Sequence, residues 1–284
     1  MRFTKMQGLG NDYLFVNCFE QSVDDAGAVA RAISDRHFGV GADGLILVLP
    51  SRVSDVRMRV FNADGREAEM CGNGIRCVAK YAYERGLARA NPMRVETPAG
   101  VKEIKLEVGS EGKVAAATVD MGRPSFGARS VGAKVADTDR TDCELECSAG
   151  TLTATCVSMG NPHAVVFVDD VGAVRLDRLG PELSDHKLFG KGINVHFVQI
   201  DSPTEVTMRT WERGSGATLA CGTGASAVCA AAAETGRTQR RLTVHLPGGD
   251  LMIEWRSGDD HILMTGPAEE VFAGQWPGHE GSQG

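Results

Sequence analysis

Apolar residues recur along this chain in two rhythms. From Val56 to Val60 they alternate, with Val56, Met58 and Val60 on one side and Arg57 and Arg59 on the other, the period of two expected of a strand. Ile104, Leu106 and Val108 alternate in the same way after a Pro-Ala-Gly turn, which predicts a hairpin. "GLILVLP" and "INVHFVQI" read as apolar strands entered through glycine. The other rhythm belongs to helices that stop at glycine, "CGNGIRCVAKYAYERG" from Cys71 and "CGTGASAVCAAAAETG" from Cys221. In the second, "SAVCAAAAE" is small or apolar all round, so this helix should be buried, wrapped by a curved sheet. Strands outnumber helices.

The two helical segments align without a gap at an offset of 150. "GNDYLFV" from Gly10 faces "GNPHAVV" from Gly160, and "MRVFN" from Met58 faces "MRTWE" from Met208, at the same offset. "FGVGAD" from Phe38 faces "FGKGIN" from Phe189, and "RVETPAG" from Arg94 faces "TVHLPGG" from Thr243, within one residue of it. A repeat of this period is domain-sized. The expected fold is α/β: two pseudosymmetric domains from an internal duplication, each a mixed, strongly curved β-sheet around a central helix. The join falls near Val119 to Thr141, a stretch rich in Gly, Arg and Asp.

With 284 residues and a net charge of −7, the chain lacks the basic clusters of a nucleic-acid surface. No apolar run is long enough for a membrane helix, and the N-terminus has no signal-peptide core, so the expected location is cytoplasmic. Of the eight cysteines, none forms a Cys-x2-Cys pair, which argues against a zinc ribbon or a thioredoxin-type motif. Cys18, Cys77, Cys143, Cys147, Cys156 and Cys229 read as small buried hydrophobes.

Cys71 and Cys221 read differently. Each stands at a helix start, where unpaired N–H groups and the helix dipole favour a thiolate and can lower its pKa from about 8.5 into the range of about 3.5–7.5. The glycines flanking Asn73 and Thr223 allow an anion close to the backbone. Two opposed cysteines admit a reversible disulfide or two-base proton transfer. Duplication favours the second, because an epimerase must treat both faces of one carbon alike. Differences between the copies should mark the asymmetry of the substrate. Asn62 becomes Glu212, Ala63 becomes Arg213, Tyr13 becomes His163 and Asp43 becomes Asn194, while Asn11 and Asn161 match. Glu212 and Arg213 could hold an ammonium and a carboxylate or be a solvated charge pair. His163 could be structural or catalytic.

"KMQGLGNDYLFV", "FNADGREAEMCGNGIRC", "GNPHAVVFV" and "WERGSGATLACGTGASA" resemble the diaminopimelate epimerase family, a likeness that runs from Phe3 to about Phe272. It implies an isomerase that needs neither pyridoxal phosphate nor a metal and interconverts LL- and meso-diaminopimelate in lysine and peptidoglycan precursor synthesis. By the resemblance Cys71 and Cys221 are the catalytic pair, and His163 and Glu212 tune them. The substrate-binding positions it implies are Asn11, Asn62, Gly72, Asn73, Asn161, Asn194, Glu212, Arg213, Gly222 and Thr223. Gly44 departs from members that carry a substrate-touching glutamine there, so its role passes to the backbone. The resemblance also implies a homodimer acting on a small amino acid. It implies domains of residues 1–118 with 267–284, and of 119–266. The tail "WPGHEGSQG" is expected to be disordered. Two alternatives stand beside this reading: a proline or hydroxyproline-type racemase of the same fold, and a thiol redox protein.

Overall fold

The computed structural model describes residues 1–134 and 141–277. The chain divides into two compact units, Met1–Val119 with the segment from Gly266 onward, and Asp120–Thr265. Residues 135–140 of the expected join lie outside the described residues.

In the first unit the elements are β1 (Arg2–Gly8), β2 (Asn11–Asn17), α1 (Ala26–Ser34), β3 (Gly44–Leu49), β4 (Val56–Asn62) and β5 (Glu67–Ala68), followed by α2 (Gly72–Glu84), β6 (Met93–Thr97), β7 (Gly100–Val108) and β8 (Val114–Gly122). The second unit runs through β9 (Ser125–Phe126), a short 3-10 turn, β10 (Asp142–Cys147), β11 (Gly150–Ser158), β12 (Pro162–Phe167) and α3 (Leu176–Ser184). It continues with β13 (Asn194–Ser202), β14 (Glu205–Glu212), β15 (Gly216–Thr218), α4 (Gly222–Glu234), β16 (Arg241–Leu246), β17 (Gly249–Trp255) and β18 (Ile262–Gly266). β19 (Glu269–Gln275) then pairs antiparallel with β1, back in the first unit.

Both units build one mixed sheet with the same sequence of strand senses. The first runs β19-β1-β2-β3-β4-β6-β7-β8, with β2·β3 and β4·β6 parallel and every other pair antiparallel. The second runs β10-β11-β12-β13-β14-β16-β17-β18, with β12·β13 and β14·β16 parallel and the rest antiparallel. The duplication read from sequence is therefore a duplication of topology, and the fold is α/β.

Each sheet carries helices on both faces, which explains the unbroken apolar run of β3 and the apolar stretch of β13, interrupted by His196 between Val195 and Phe197. Leu45 and Leu47 pack with α1 through Ala30 and Ile33, while Ile46 points at the start of α2. In the second unit Val195 and Phe197 pack in a cluster with Leu176 and Leu183 of α3. α4 lies against β11, β12, β13, β16 and β17, so its sheet wraps it. Ten of its residues are buried, as its all-round apolar character requires.

Two expectations change. Cys77, Cys143, Cys156 and Cys229 are buried, whereas Cys18 and Cys147 are only partly covered. In the tail, Trp276 is ordered: its N–H donates to Met1 O at 2.8 Å, the Met1 amino group donates to Trp276 O at 2.8 Å, and its ring packs on the α1 cluster. Apolar cover and a continued backbone ladder overcome the polar composition. Residues 278–284 of the tail lie outside the described residues.

Candidate active site

Cys71 and Cys221 hold the same local position, each in its own unit. Both are N-cap residues in extended backbone, with φ −134° and ψ 113° before α2 and φ −131° and ψ 104° before α4. Gly72 and Gly222 open the helices. Cys71 Sγ accepts the Gly74 N–H at 3.3 Å, taking up one of the donors that a helix start leaves unpaired. Cys221 Sγ lies 3.7 Å from the Thr223 hydroxyl. The second glycine of each Cys-Gly-Xaa-Gly run has a steric cause. A Cβ on Gly74 would come within 2.6 Å of Ile46 Cδ1, and one on Gly224 would overlap the His196 ring.

Around Cys71 the candidate residues form one cluster. Asn11 Oδ1 accepts from Cys71 Sγ and from Asn73 Nδ2, both at 3.5 Å. Asn11 Nδ2 donates to Asp43 Oδ2 at 2.7 Å. Tyr13, two positions along β2, lies near Cys71, and its hydroxyl favours the thiolate. Register places Tyr13 beside Gly44 and Gly44 beside Asn62, and Asn62 is exposed at the end of β4. A side chain at Gly44 would overlap the Phe61 carbonyl and put its Cβ 2.8 Å from Tyr13 Cε1. The tyrosine ring uses the space that a larger residue at Gly44 would need.

Around Cys221 the partners differ. Asn161 Nδ2 donates to Thr223 Oγ1 at 3.3 Å, at the place of the Asn11–Asn73 contact but in the reverse direction. His163 makes no direct bond to the sulfur among the described contacts; its Nε2 meets Asn161 Oδ1 at 2.9 Å and its Nδ1 meets His196 Nε2 at 2.8 Å. Glu212 receives the Thr218 hydroxyl at 2.6 Å and hydrogen-bonds Cys221. Asn194 Oδ1 accepts the Arg213 N–H at 3.0 Å, and its amide donates to Pro162 O at 2.9 Å. The Arg213 guanidinium rests on the carbonyls of Lys191 and Gly192, both at 3.3 Å, and is exposed.

The low thiol pKa expected from a helix start does not result, because burial outweighs it. Burial pushes Cys71 up, against the Gly74 N–H, the Tyr13 hydroxyl, the Asn73 N–H and the nearby Arg76 charge. Cys221 is pushed up by burial and by the Glu212 carboxylate, with the Thr223 hydroxyl acting the other way. The surroundings are unlike in kind. Donors and a cation favour the Cys71 thiolate, whereas the carboxylate beside Cys221 favours the thiol. Both histidines are held neutral: burial takes His196 down to about 3 and His163 well below its usual value, the latter also through His196 and Arg213.

Sequence reasoning leaves four of these residues without a role. Arg76, fully buried, donates to Gly72 O and Pro267 O; the signal is a charge set among the apolar residues that open α2. Tyr13 shows in the sequence only as a difference between the copies. His196 and Thr210 face Ile46 and Val60 at the repeat offset of 150, and the same comparison applied to the strands would have found them.

A duplicated mixed sheet around a buried helix defines a class of structures. A phenazine biosynthesis protein of the PhzF family from Bacillus anthracis superimposes with a TM-score of 0.70 at 19% identity, over 96% of this chain and 98% of that one. A probable proline racemase from Agrobacterium radiobacter K84 does so with a TM-score of 0.69 at 17% identity, over 97% and 92%. These identities establish a shared fold. The sequence model of diaminopimelate epimerase matches residues 3–127 and 155–271. Proteins named diaminopimelate epimerase are 50% identical in Acetivibrio thermocellus, over 97% of this chain and 98% of theirs, and 51% identical in Pelotomaculum thermopropionicum, over 98% and 99%. The chain belongs to the diaminopimelate epimerase family.

Proposed function

We propose that this protein epimerises diaminopimelate between its LL and meso forms with Cys71 and Cys221 as the two proton carriers. Family membership carries the reaction and its substrate; the unlike partners of two equivalent cysteines support the assignment of roles. In this reading Tyr13, Gly74 and Arg76 help Cys71 toward the thiolate it needs to accept a proton, against the burial that opposes it, and Cys221 is held as thiol beside Glu212. The Cys71 sulfur takes the proton from the α-carbon, and Cys221 delivers its own to the opposite face. The reaction ends with Cys71 as thiol and Cys221 as thiolate, so the reverse reaction finds the roles exchanged and the pair titrates as a unit. Backbone N–H groups at the two helix starts favour the negative charge that grows as the proton leaves. The remaining proposed substrate contacts are Asn11, Asn62, Gly72, Asn73, Asn161, Asn194, Arg213, Gly222 and Thr223.

The protein is further proposed to need no pyridoxal phosphate, and to act in the cytoplasm as a homodimer. No helix among the described residues is long and apolar enough to cross a membrane. Likeness to a proline racemase rests on fold at 17% identity and lends that substrate no support. A Cys71–Cys221 disulfide is expected only as oxidative inactivation that reductant reverses.

Incubating LL-diaminopimelate with the enzyme in D2O should place one deuterium at the inverted α-carbon of the meso product, without added cofactor. Cys71→Ala and Cys221→Ala should each abolish the conversion. Epimerisation surviving in either variant would end the two-base reading.

A further inference from the structure

The second unit buries a line of polar groups where the first carries Ile46 and Val60 at two of the equivalent positions. His196 and Thr210 are paired across β13 and β14, just as Ile46 and Val60 are paired across β3 and β4. His163 and His196 are fully buried and Thr210 nearly so. Ile46 and Val60 show that the fold accepts apolar residues at two of these positions. Polar groups there cost stability unless each finds a partner. Each does: Thr210 Oγ1 meets His196 Nδ1 at 3.0 Å, His196 Nε2 meets His163 Nδ1 at 2.8 Å, and His163 Nε2 meets Asn161 Oδ1 at 2.9 Å.

The direction of every bond in this line follows from its end. Asn161 gives its amide N–H to Thr223, so its carbonyl oxygen faces His163 and can only accept. His163 Nε2 therefore carries the proton. A neutral ring with a proton there has a bare Nδ1, which must accept from His196 Nε2–H. The bare Nδ1 of His196 in turn accepts the Thr210 hydroxyl. At the other end Thr223 Oγ1 already accepts from Asn161, which leaves its one proton for Cys221 Sγ, 3.7 Å away.

We propose that His196 is a positioning residue for Cys221: by donating to His163 it fixes the polarity of the whole line and keeps the Thr223 hydroxyl proton directed at the sulfur. The inference rests on reading Cys221 as one of the two proton carriers. Without a donor at His163 Nδ1, the ring can carry its proton there instead, with Nε2 accepting. The Asn161 amide then reverses, and Thr223 gives its proton to the Asn161 oxygen. Cys221 loses the one hydroxyl that favours its thiolate and keeps the carboxylate that opposes it. His196 reaches the cysteine without touching it, and Gly224 has no side chain because the His196 ring fills that space.

Nitrogen NMR of the folded protein with 15N-labelled histidine tests the line directly. Both rings should show protonated Nε2 and bare Nδ1, unchanged between about pH 5.5 and 8. A proton on Nδ1 of His163, or a charged ring in that range, overturns the proposal. The second test compares His196→Gln, whose amide can still donate to His163, with His196→Leu, which cannot. Alkylation of Cys221 by iodoacetamide, followed peptide by peptide against pH, should be slowed about tenfold at pH 8 in the leucine variant, while Cys71 is unaffected. The glutamine variant should restore most of that rate, and kcat for epimerisation should follow the same order. Equal losses in both variants with unchanged melting curves, or no loss in either, overturn the proposal. If NMR and alkylation behave as expected while Cys221→Ala still epimerises, the proposed function fails and the control of Cys221 stands.

Discussion

Tyr13 and His163 occupy one place in the repeat and reach their cysteines by different routes. The tyrosine lies near Cys71 and its hydroxyl favours the thiolate, while the histidine is linked to Cys221 only through Asn161 and Thr223. A hydroxyl that donates to a thiolate stabilises the charged form, so its removal raises the cysteine pKa. Tyr13→Phe keeps the ring in the space beside Gly44 and removes only that donor. Alkylation of Cys71 at pH 8 should fall about tenfold with Cys221 unchanged, read by peptide mass spectrometry; an unaltered Cys71 rate would show that the hydroxyl does not serve the sulfur. At this scale the cysteines were legible because a helix start, its glycines and its thiol are written in one contiguous run. His196 was not, because its partners at 163 and 210 reach it by strand register and local sequence shows only one polar break in an apolar strand.

The elements differ in how much of them the sequence declares. α4 was plain from its all-round small side chains, and β4 from strict alternation. β5 and β15, two and three residues long, are too short for any period to appear. The helix starts show a subtler dependence on the strand beneath. A methyl group at Gly74 meets Ile46 Cδ1, the free end of a flexible chain, whereas one at Gly224 meets an imidazole bonded at both nitrogens. Gly224→Ala should therefore destabilise the protein by roughly 1–3 kcal/mol, as overpacking of a rigid site does, and Gly74→Ala by less. Urea unfolding of the two variants checks the order, and a milder effect at Gly224 would count against the rigidity of the histidine pair.

For the molecule as a whole, the repeat announced two copies of one topology, but not what completes the first. At the repeat spacing the counterpart of β10 would precede Met1, and β19 stands in its place beside β1. Nothing in the residue pattern of Glu269–Gln275 declares that pairing. Five of its seven residues in a row are exposed, and what holds it is backbone ladder plus a few contacts: Phe272 on Phe3 with centroids 5.8 Å apart, Glu270 with Arg85 at 2.9 Å, and Glu269 with Gln7 at 2.7 Å. Ending the chain after Pro267 should leave the β1 edge bare. Hydrogen exchange should then quicken in β1–β3 while β12–β14 keep their protection; equal loss in both units would mean that their stabilities are not separable.

The same strand sets an order on synthesis. A ribosome releases β1 early and β19 last, with the whole of the second unit made in between. The uninterrupted unit can settle while the nascent first unit still shows an unpaired edge, which long-range pairing closes only slowly. Because Met1 and Trp276 already share two hydrogen bonds, joining the old ends and opening the chain just past β8, between Gly122 and Arg123, would keep that strand whole, bring the segments of the first unit together in sequence and remove that wait.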